Sequence, residues 1–233
     1  MIGDRQLMAA HVRALFTSDA RSRLMTVNEP GGGLPGPRLF LGRTRGGNLW
    51  RLRADLPDAL AAELEALCGD EPVGEDLLSP PRHAARYVRL LEAHAPVRES
   101  EAGPAYRFAE YPEPARPPVA LTEKDAGLLR GGFEKLVEEL TDWQPFVALL
   151  DGGRAVSVCR SVRITPQAHE AGAETLPDYR GKGYAADAVA RWALRVLPLG
   201  AVPLYSTSWE NAASQAVAAK LRLVQYGADF HIT

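Results

Sequence analysis

Apolar residues recur at helical spacing over residues 6–16, where Leu7, Met8, Val12, Leu15 and Phe16 form one stripe, and this predicts an amphipathic helix. His11 lies within it and reads as a packed or surface residue rather than a ligand. A short strand is expected at 24–27, and residues 29–37, rich in glycine and proline, cannot be regular structure. Two strand-like runs, 38–44 and 48–53, flank Gly46-Gly47, a pair suited to a turn with positive φ, so a β-hairpin is expected. Its arginines at 43, 45, 51 and 53 read as solvated positions on strand faces. Helices are expected at 57–68, with Asp55 as cap and Leu60, Leu64 and Leu67 as stripe, and at 81–93, burying Tyr87, Leu90 and Leu91.

Residues 98–103 are polar, 105–110 read as a strand, and 111–118 hold four prolines. That proline run marks the expected boundary between a small α/β domain, 1–110, and a second domain, 111–233. Thr122 and Asp125 have capping-box spacing ahead of Leu129, Phe133, Leu136, Val137 and Leu140, which predicts a helix weakened at Gly131-Gly132. The runs 146–150 and 155–160 flank Asp151-Gly152-Gly153, a second hairpin. After a strand at 171–176 comes a basic glycine-rich turn, then a helix burying Ala186, Val189, Ala190, Ala193, Val196 and Leu197. A strand at 204–208, a helix at 211–221 and a strand at 224–232 complete the chain. Alternating helices and strands define an α/β (α+β) fold, a sheet with helices packed on it.

Charge and composition narrow the function. The 27 basic and 29 acidic residues nearly cancel, so no global field points to nucleic acid or an anionic membrane. The two cysteines, Cys68 and Cys159, suggest neither a disulfide framework nor a metal knuckle, and no metal is expected. No apolar run resembles a leader or a membrane span, so the expected location is the cytoplasm.

The turn carries the chemistry. In the sequence from Glu174 to Ala186, Pro177 ends the strand and Gly181 and Gly183 precede a helix start. Glycines let an anion approach backbone N–H groups closely, and the helix dipole favours negative charge there. A triphosphate loop needs glycine at 176 and Ser or Thr at 183, where the chain has Leu176 and Gly183. Gly181, Gly183 and Ala186 satisfy a bare dinucleotide fingerprint, but four residues separate the strand from Gly181, and the one acid between Ala185 and Trp209, Asp187, follows the turn too closely to stand where the fingerprint's ribose-binding acid does.

Arg180-Gly181-Lys182-Gly183-Tyr184-Ala185 resembles the Arg/Gln-x-x-Gly-x-Gly/Ala acyl-CoA motif of the GNAT superfamily of N-acetyltransferases, and the lead-in Pro177-Asp178-Tyr179 is typical of it too. Downstream, Ser208-Trp209-Glu210-Asn211-Ala212-Ala213-Ser214, then Ala219-Lys220-Leu221, looks like the family's next strand and helix. The resemblance covers roughly residues 120–233 and implies a GNAT-like mixed central sheet flanked by helices, with the smaller α/β domain ahead of it. It implies acetyl-CoA as co-substrate, with Arg180, Gly181, Lys182, Gly183, Tyr184 and Ala185 on the pyrophosphate, and Ala173, Thr175 and Leu176 beside the pantetheine arm. Asn211 and Ser214 would contact the arm from the other side.

Acetyl transfer to an amine needs a base for the amine and a proton for the departing thiolate. Glu174 is the best-placed base, or else a strand carboxylate facing solvent; His169 and Glu170 are weaker candidates. Many family members carry a tyrosine where this chain has Ala218, and a glycine where it has Arg222, so the acid falls to Ser208, Tyr205, Tyr226 or solvent. The expected function is N-acetyl transfer to a small-molecule or peptide amine in a ternary complex, the alternative a CoA-binding regulatory protein without the chemistry. A homodimer is compatible with either. Trp143, Trp192 and Trp209 line a pocket or pack in the core.

Overall fold

The structure, a computed structural model, describes residues 2–74 and 76–233. In chain order the elements are α1 (Asp4–Leu15), β1 (Phe16–Ser18), β2 (Leu24–Val27), β3 (Leu39–Thr44), β4 (Leu49–Leu52), α2 (Asp58–Gly69), α3 (Ala84–His94) and β5 (Ser100–Arg107). Next come β6 (Val119–Ala120), 3-10 turns at Glu123–Leu129, Glu134–Leu136 and Glu138–Leu140, β7 (Phe146–Asp151), β8 (Arg154–Ile164) and β9 (Ala168–Thr175). The rest is α4 (Tyr184–Val196), β10 (Val202–Ser206), α5 (Ala212–Lys220) and β11 (Val224–Ile232). The chain forms two compact units, one of Met1–Tyr106, Ser206–Asn211 and Gln225–Thr233, the other of Arg107–Tyr205 and Ala212–Val224. Among the described residues no helix is long and apolar enough to cross a membrane.

In the first unit the strand order is β4-β3-β11-β5, and β11 runs antiparallel to β3 from Gly227↔Thr44 to Ile232↔Leu39. Strand alternation splits the core between two faces. Leu39, Leu41, Phe230 and Ile232 join Leu64 of α2 and Tyr87 and Leu91 of α3 in one cluster. The sheet also accommodates Met8 of α1, fully buried: a Cβ at Gly42 or Gly227 would come within 2.4 or 2.5 Å of its side chain. His11 is buried in α1 and meets the Asp229 carboxylate at 2.9 Å, while His231 reaches Glu101 at 2.7 Å. Two expectations change here. Asp55 does not cap α2; it grips Arg53 through two hydrogen bonds of 2.7 and 3.0 Å, and Pro57 stands at the cap. The polar run before residue 105 is strand, because β5 starts at Ser100 and its Ala102 and Pro104 carbonyls accept from Trp209 and Thr207 N–H.

The second unit has the order β10-β9-β8-β7-β6, with β9 and β10 parallel and the other pairs antiparallel. Gly152 and Gly153, at φ 56° and 78°, close the β7–β8 hairpin as expected. One face of this sheet receives α4, whose buried Trp192 donates to Ser161 Oγ on β8 at 3.0 Å. Leu129, Phe133, Leu136 and Leu140 cluster with Phe146, Ala148 and Val158. The helix expected over these leucines is instead three 3-10 turns. Gly131 and Gly132 take φ of +88° and +149°, the Glu134 carboxylate accepts both of their N–H groups, and a Cβ at Gly132 would lie 2.4 Å from Leu176 Cδ2. Two consecutive positive-φ glycines break the helix there, and the missing Cβ at Gly132 leaves room for Leu176. The Thr122–Asp125 pair survives at the first turn, the carboxylate accepting the Thr122 N–H at 2.8 Å.

Candidate functional site

Between β9 and α4 the chain makes a 3-10 turn at Pro177–Tyr179, then passes through Gly181 (φ +72°) and Gly183 (φ +86°), the N-cap of α4. No side chain caps the helix, and Asp187 is the residue whose N–H returns to the Gly183 carbonyl, at 3.2 Å. The N–H groups of Tyr184, Ala185 and Ala186 therefore open onto the loop, as helix geometry requires. Cations surround them. A Cβ on Gly183 would fall 2.1 Å from Lys220 Nζ, so the ammonium of α5 lies directly on the glycine.

Arg116, from the proline-rich segment, donates to Asp187 Oδ2 at 2.6 Å and to the Lys182 carbonyl at 3.1 Å, and its guanidinium stands 4.4 Å over the Tyr184 ring. The Ala115 N–H takes the other Asp187 oxygen at 3.0 Å. Within the loop, Lys182 Nζ donates to the Asp178 carbonyl at 2.8 Å and Arg180 Nε to the Thr175 carbonyl at 3.1 Å. The sequence reading of this loop rested on its glycines and did not place Arg116 and Lys220 beside it. Arg116 lies in a run that reads as a linker, and only the close approach to Gly183 identifies Lys220.

The strand leading into the loop is paired on one side along its length and on the other only at its start. With β8, β9 is in register from Ile164↔His169 to Ser157↔Thr175. With β10 the register covers Val202↔Ala168, Pro203↔His169 and Leu204↔Glu170, and ends there. The Glu174 carbonyl accepts from Ser157 Oγ and the Leu176 N–H donates to the Val156 carbonyl, both on the β8 side. Strand alternation then turns the main-chain groups of Ala171, Ala173 and Thr175 to the side that β10 has left. This edge could accept an extended, amide-bearing chain as an added strand.

Glu174 projects from β9 into a network of charges: Arg160 NH1 donates to Oε1 at 3.1 Å and Lys135 Nζ lies 3.1 Å from Oε2, with Arg160 also bonded to Glu139. Its side chain is one-third exposed, 33%. His169 is held under α4, its Nδ1 2.9 Å from Ser161 Oγ, and burial pushes its pKa below the usual imidazole range. Glu170 is buried as well. Trp192 is core, and Trp143 is half-buried with the Arg160 and Arg163 guanidiniums 5.9 Å from its ring.

Ser214, on α5, has its Oγ 2.6 Å from the Tyr205 hydroxyl. Ser208, Trp209, Asn211 and Tyr226 belong to the first unit, Asn211 just ahead of α5 and Tyr226 buried on β11. Ala218 is buried in α5, and Arg222, where the resemblance leads one to expect glycine, takes φ +54°.

The parallel strands β9 and β10 thus part on the strand that runs into a helix start flanked by cations. Residues 146–226 match the family model described as GNAT acetyltransferase. That segment, in the C-terminal half of the chain, is similar to the GNAT family. No curated protein matches the sequence.

Solved structures similar to this chain include a GCN5-related N-acetyltransferase from Kribbella flavida, 16% identical, covering 99% of this chain and 95% of its own at a TM-score of 0.49. A GCN5-related N-acetyltransferase-like protein from Streptococcus suis 89/1591 is 18% identical over 85% of both chains, TM-score 0.49. A GNAT-family structure from Novosphingobium aromaticivorans DSM 12444 is 19% identical at a TM-score of 0.47, matched over 59% of this chain and 66% of its own. The match thus spans about two thirds of that protein's length.

Proposed function

We propose that this protein is an acetyl-CoA-dependent N-acetyltransferase that moves the acetyl group to an amine of a small molecule or peptide by direct attack in a ternary complex. The observation that carries this reading is the conjunction of two features on one strand: β9 is abandoned by β10 after Glu170, and the same strand runs into the loop ringed by Lys182, Lys220 and Arg116. Acetyl-CoA fits both. Its pyrophosphate suits the N–H groups from Gly181 to Ala185 and the neighbouring cations, and its pantetheine amides suit Ala173 and Thr175, with Leu176 and Ser214 alongside. When bound it supplies an activated acetyl group; proton handling falls to this chain.

Glu174 is the base of this reading, taking the amine proton directly or through a water, with Arg160 fixing its carboxylate from below and the exposed Lys135 free to yield. Glu174→Gln should lower turnover by about 100-fold near neutral pH, the deficit shrinking as the pH nears the acceptor's own pKa, where solvent deprotonates the amine unaided. A pH-independent, small effect would acquit it.

The test of the function is release of free thiol from acetyl-CoA with spermidine, free lysine and an alanine-terminated peptide as acceptors, alongside thermal unfolding with and without CoA. Both cysteines are buried, which pushes their thiols up, Cys68 to about 12, so the folded chain contributes little background to the thiol signal. CoA at 100 times its Kd should stabilise by about 2.7 kcal/mol. Absence of stabilisation and of thiol release would refute the reading; stabilisation without turnover on any amine would reduce the protein to a CoA binder.

A further inference from the structure

Where β8 and β9 pair, β8 carries one residue more than its partner. Ser161 faces Ala171 and Arg163 faces Glu170, which leaves Val162 as the extra residue of a β-bulge. A bulge re-aims a side chain, and this one sets Val162 directly on the main chain of β9. A Cβ at Gly172 would fall 2.1 Å from Val162 Cγ1, 3.3 Å from its Cβ and 3.4 Å from its Cγ2. Gly172 is not among the glycines at positive φ, so its missing side chain serves this contact and not a turn. Alternation along β9 puts Gly172 on the face that carries Glu170 and Glu174. It lies two residues from Glu170, the last residue that β10 pairs, between Ala171 and Ala173 on the edge that β10 has left. Both Val162 and Gly172 are half-buried, whereas Ser161 and Glu170 beside them are buried. An isopropyl group therefore stands partly open over the strand, next to the unpaired edge and on the face of Glu174.

We infer that Val162, nested on Gly172, restricts the acyl group this site accepts to the length of acetyl. The inference rests on the proposed acetyl transfer and specifies which acyl donors that reaction uses. In that reading the phosphates belong at the loop after Leu176 and the arm beside Thr175 and Ala173, which leaves the acyl end for the stretch between Ala173 and Glu170. Gly172 occupies that stretch. An amine whose proton goes to Glu174 attacks from the Glu174 face, and on that face the Val162 methyl groups bound the space. Two further walls are in place. β10 resumes pairing at Leu204↔Glu170, and Arg160, opposite Gly172 on β8, is tied to Glu139 and Glu174. A longer acyl chain would have to displace the valine. Val162 takes no part in the bond changes; it is a specificity-determining residue.

The test is calorimetric titration of wild type, Val162→Ala and Val162→Ile with free CoA, S-ethyl-CoA and S-butyl-CoA, unreactive thioethers that need no acceptor amine. Wild type should bind S-ethyl-CoA at least about 10-fold more tightly than S-butyl-CoA, since one methylene is worth about 10–200-fold in a shaped apolar pocket. Val162→Ala removes both methyl groups and should bring the two thioethers within about threefold of each other, with free CoA unchanged. Val162→Ile should weaken S-ethyl-CoA by about 10-fold and again leave free CoA unchanged. In turnover on the best amine found, the ratio of kcat/KM for acetyl-CoA to that for butyryl-CoA should be lowest in Val162→Ala. Equal binding of the two thioethers by wild type overturns the inference, as does a Val162→Ala variant that keeps the wild-type ratio or weakens all three ligands alike, the mark of a packing role. Should Val162→Ala fold poorly, Val162→Ile decides, and unchanged S-ethyl-CoA affinity there overturns the inference. Failure of the proposed function looks different: wild type would bind none of the three compounds.

Discussion

Gly183→Ala, set against Gly181→Ala, separates backbone strain from what sits on the loop. Both glycines are left-handed, at φ +86° and +72°, so alanine at either costs about 1–2 kcal/mol. At this chain length that lowers Tm by about 2–4 °C per kcal/mol. The neighbours differ. A Cβ at Gly181 meets nothing within 4 Å, whereas one at Gly183 falls 2.1 Å from Lys220 Nζ and 3.3 Å from Cε.

The lysine tip is flexible and swings aside cheaply, so the two variants should lose similar stability. What Gly183→Ala loses in addition is the ammonium over the helix start. A charge-assisted hydrogen bond to phosphate is worth about 1.5–3 kcal/mol, which is roughly tenfold or more in CoA affinity. Calorimetric titration with CoA at fixed ionic strength should show that loss for Gly183→Ala and not for Gly181→Ala. Lys220→Ala alone should reproduce it and add little on the Gly183→Ala background. If both glycine variants bind CoA equally, or Lys220→Ala binds as wild type does, the assignment of this loop is wrong.

The buried charges of the first unit predict a pH dependence. Burial pushes the His231 pKa down, but the carboxylates of Asp229, 3.6 Å away, and Glu101, at 2.7 Å, outweigh it and hold it at about 9. Burial would raise Asp229, yet its bond to His11 and the charge of His231 hold it well below the usual carboxylate range. A histidine raised from about 6.5 stabilises fully below that pH and loses its contribution as pH climbs toward 9, while the depressed aspartate loses its own as pH falls below about 4. Urea unfolding should therefore show stability declining between pH 6.5 and 9, and His231→Asn should flatten that slope; an unchanged slope refutes the account. Arg222→Gly should raise Tm by a few degrees, since glycine takes φ +54° without the roughly 1 kcal/mol strain an arginine bears there, and a lowered Tm would mean the arginine side chain holds more than the backbone costs.

Local signals in the sequence translated directly into structure. Gly152-Gly153 and Gly46-Gly47 gave two hairpins, and the alanine-rich stripe after Gly183 gave α4, because these features depend on neighbours within a few residues. What depends on distant partners was not legible. The leucines at 129, 136 and 140 have helical spacing, but Gly131 and Gly132 take positive φ, their N–H groups bound by Glu134, with Leu176 packed where a Cβ of Gly132 would stand. Nothing near residue 224 says that β11 will pair with β3, more than 180 residues upstream in sequence, from Gly227↔Thr44 onward. In the site, the glycines of the loop were readable. The parting of β9 from β10, the direction of the Tyr205 hydroxyl and the ion pairs that hold Glu174 required coordinates.

Arg116 gives the proline-rich stretch a meaning that matters for anyone cutting this gene. By composition it invites dissection, with a fragment begun just after its last proline. Such a fragment would discard the guanidinium and the Ala115 amide that together satisfy Asp187, a carboxylate 7% exposed in the first turn of α4. A buried charge left without partners costs several kcal/mol, and the Lys182 carbonyl and Tyr184 ring would lose their cover in the same stroke. Excised fragments of this half should begin upstream of the prolines, at Arg107, where the second unit itself begins.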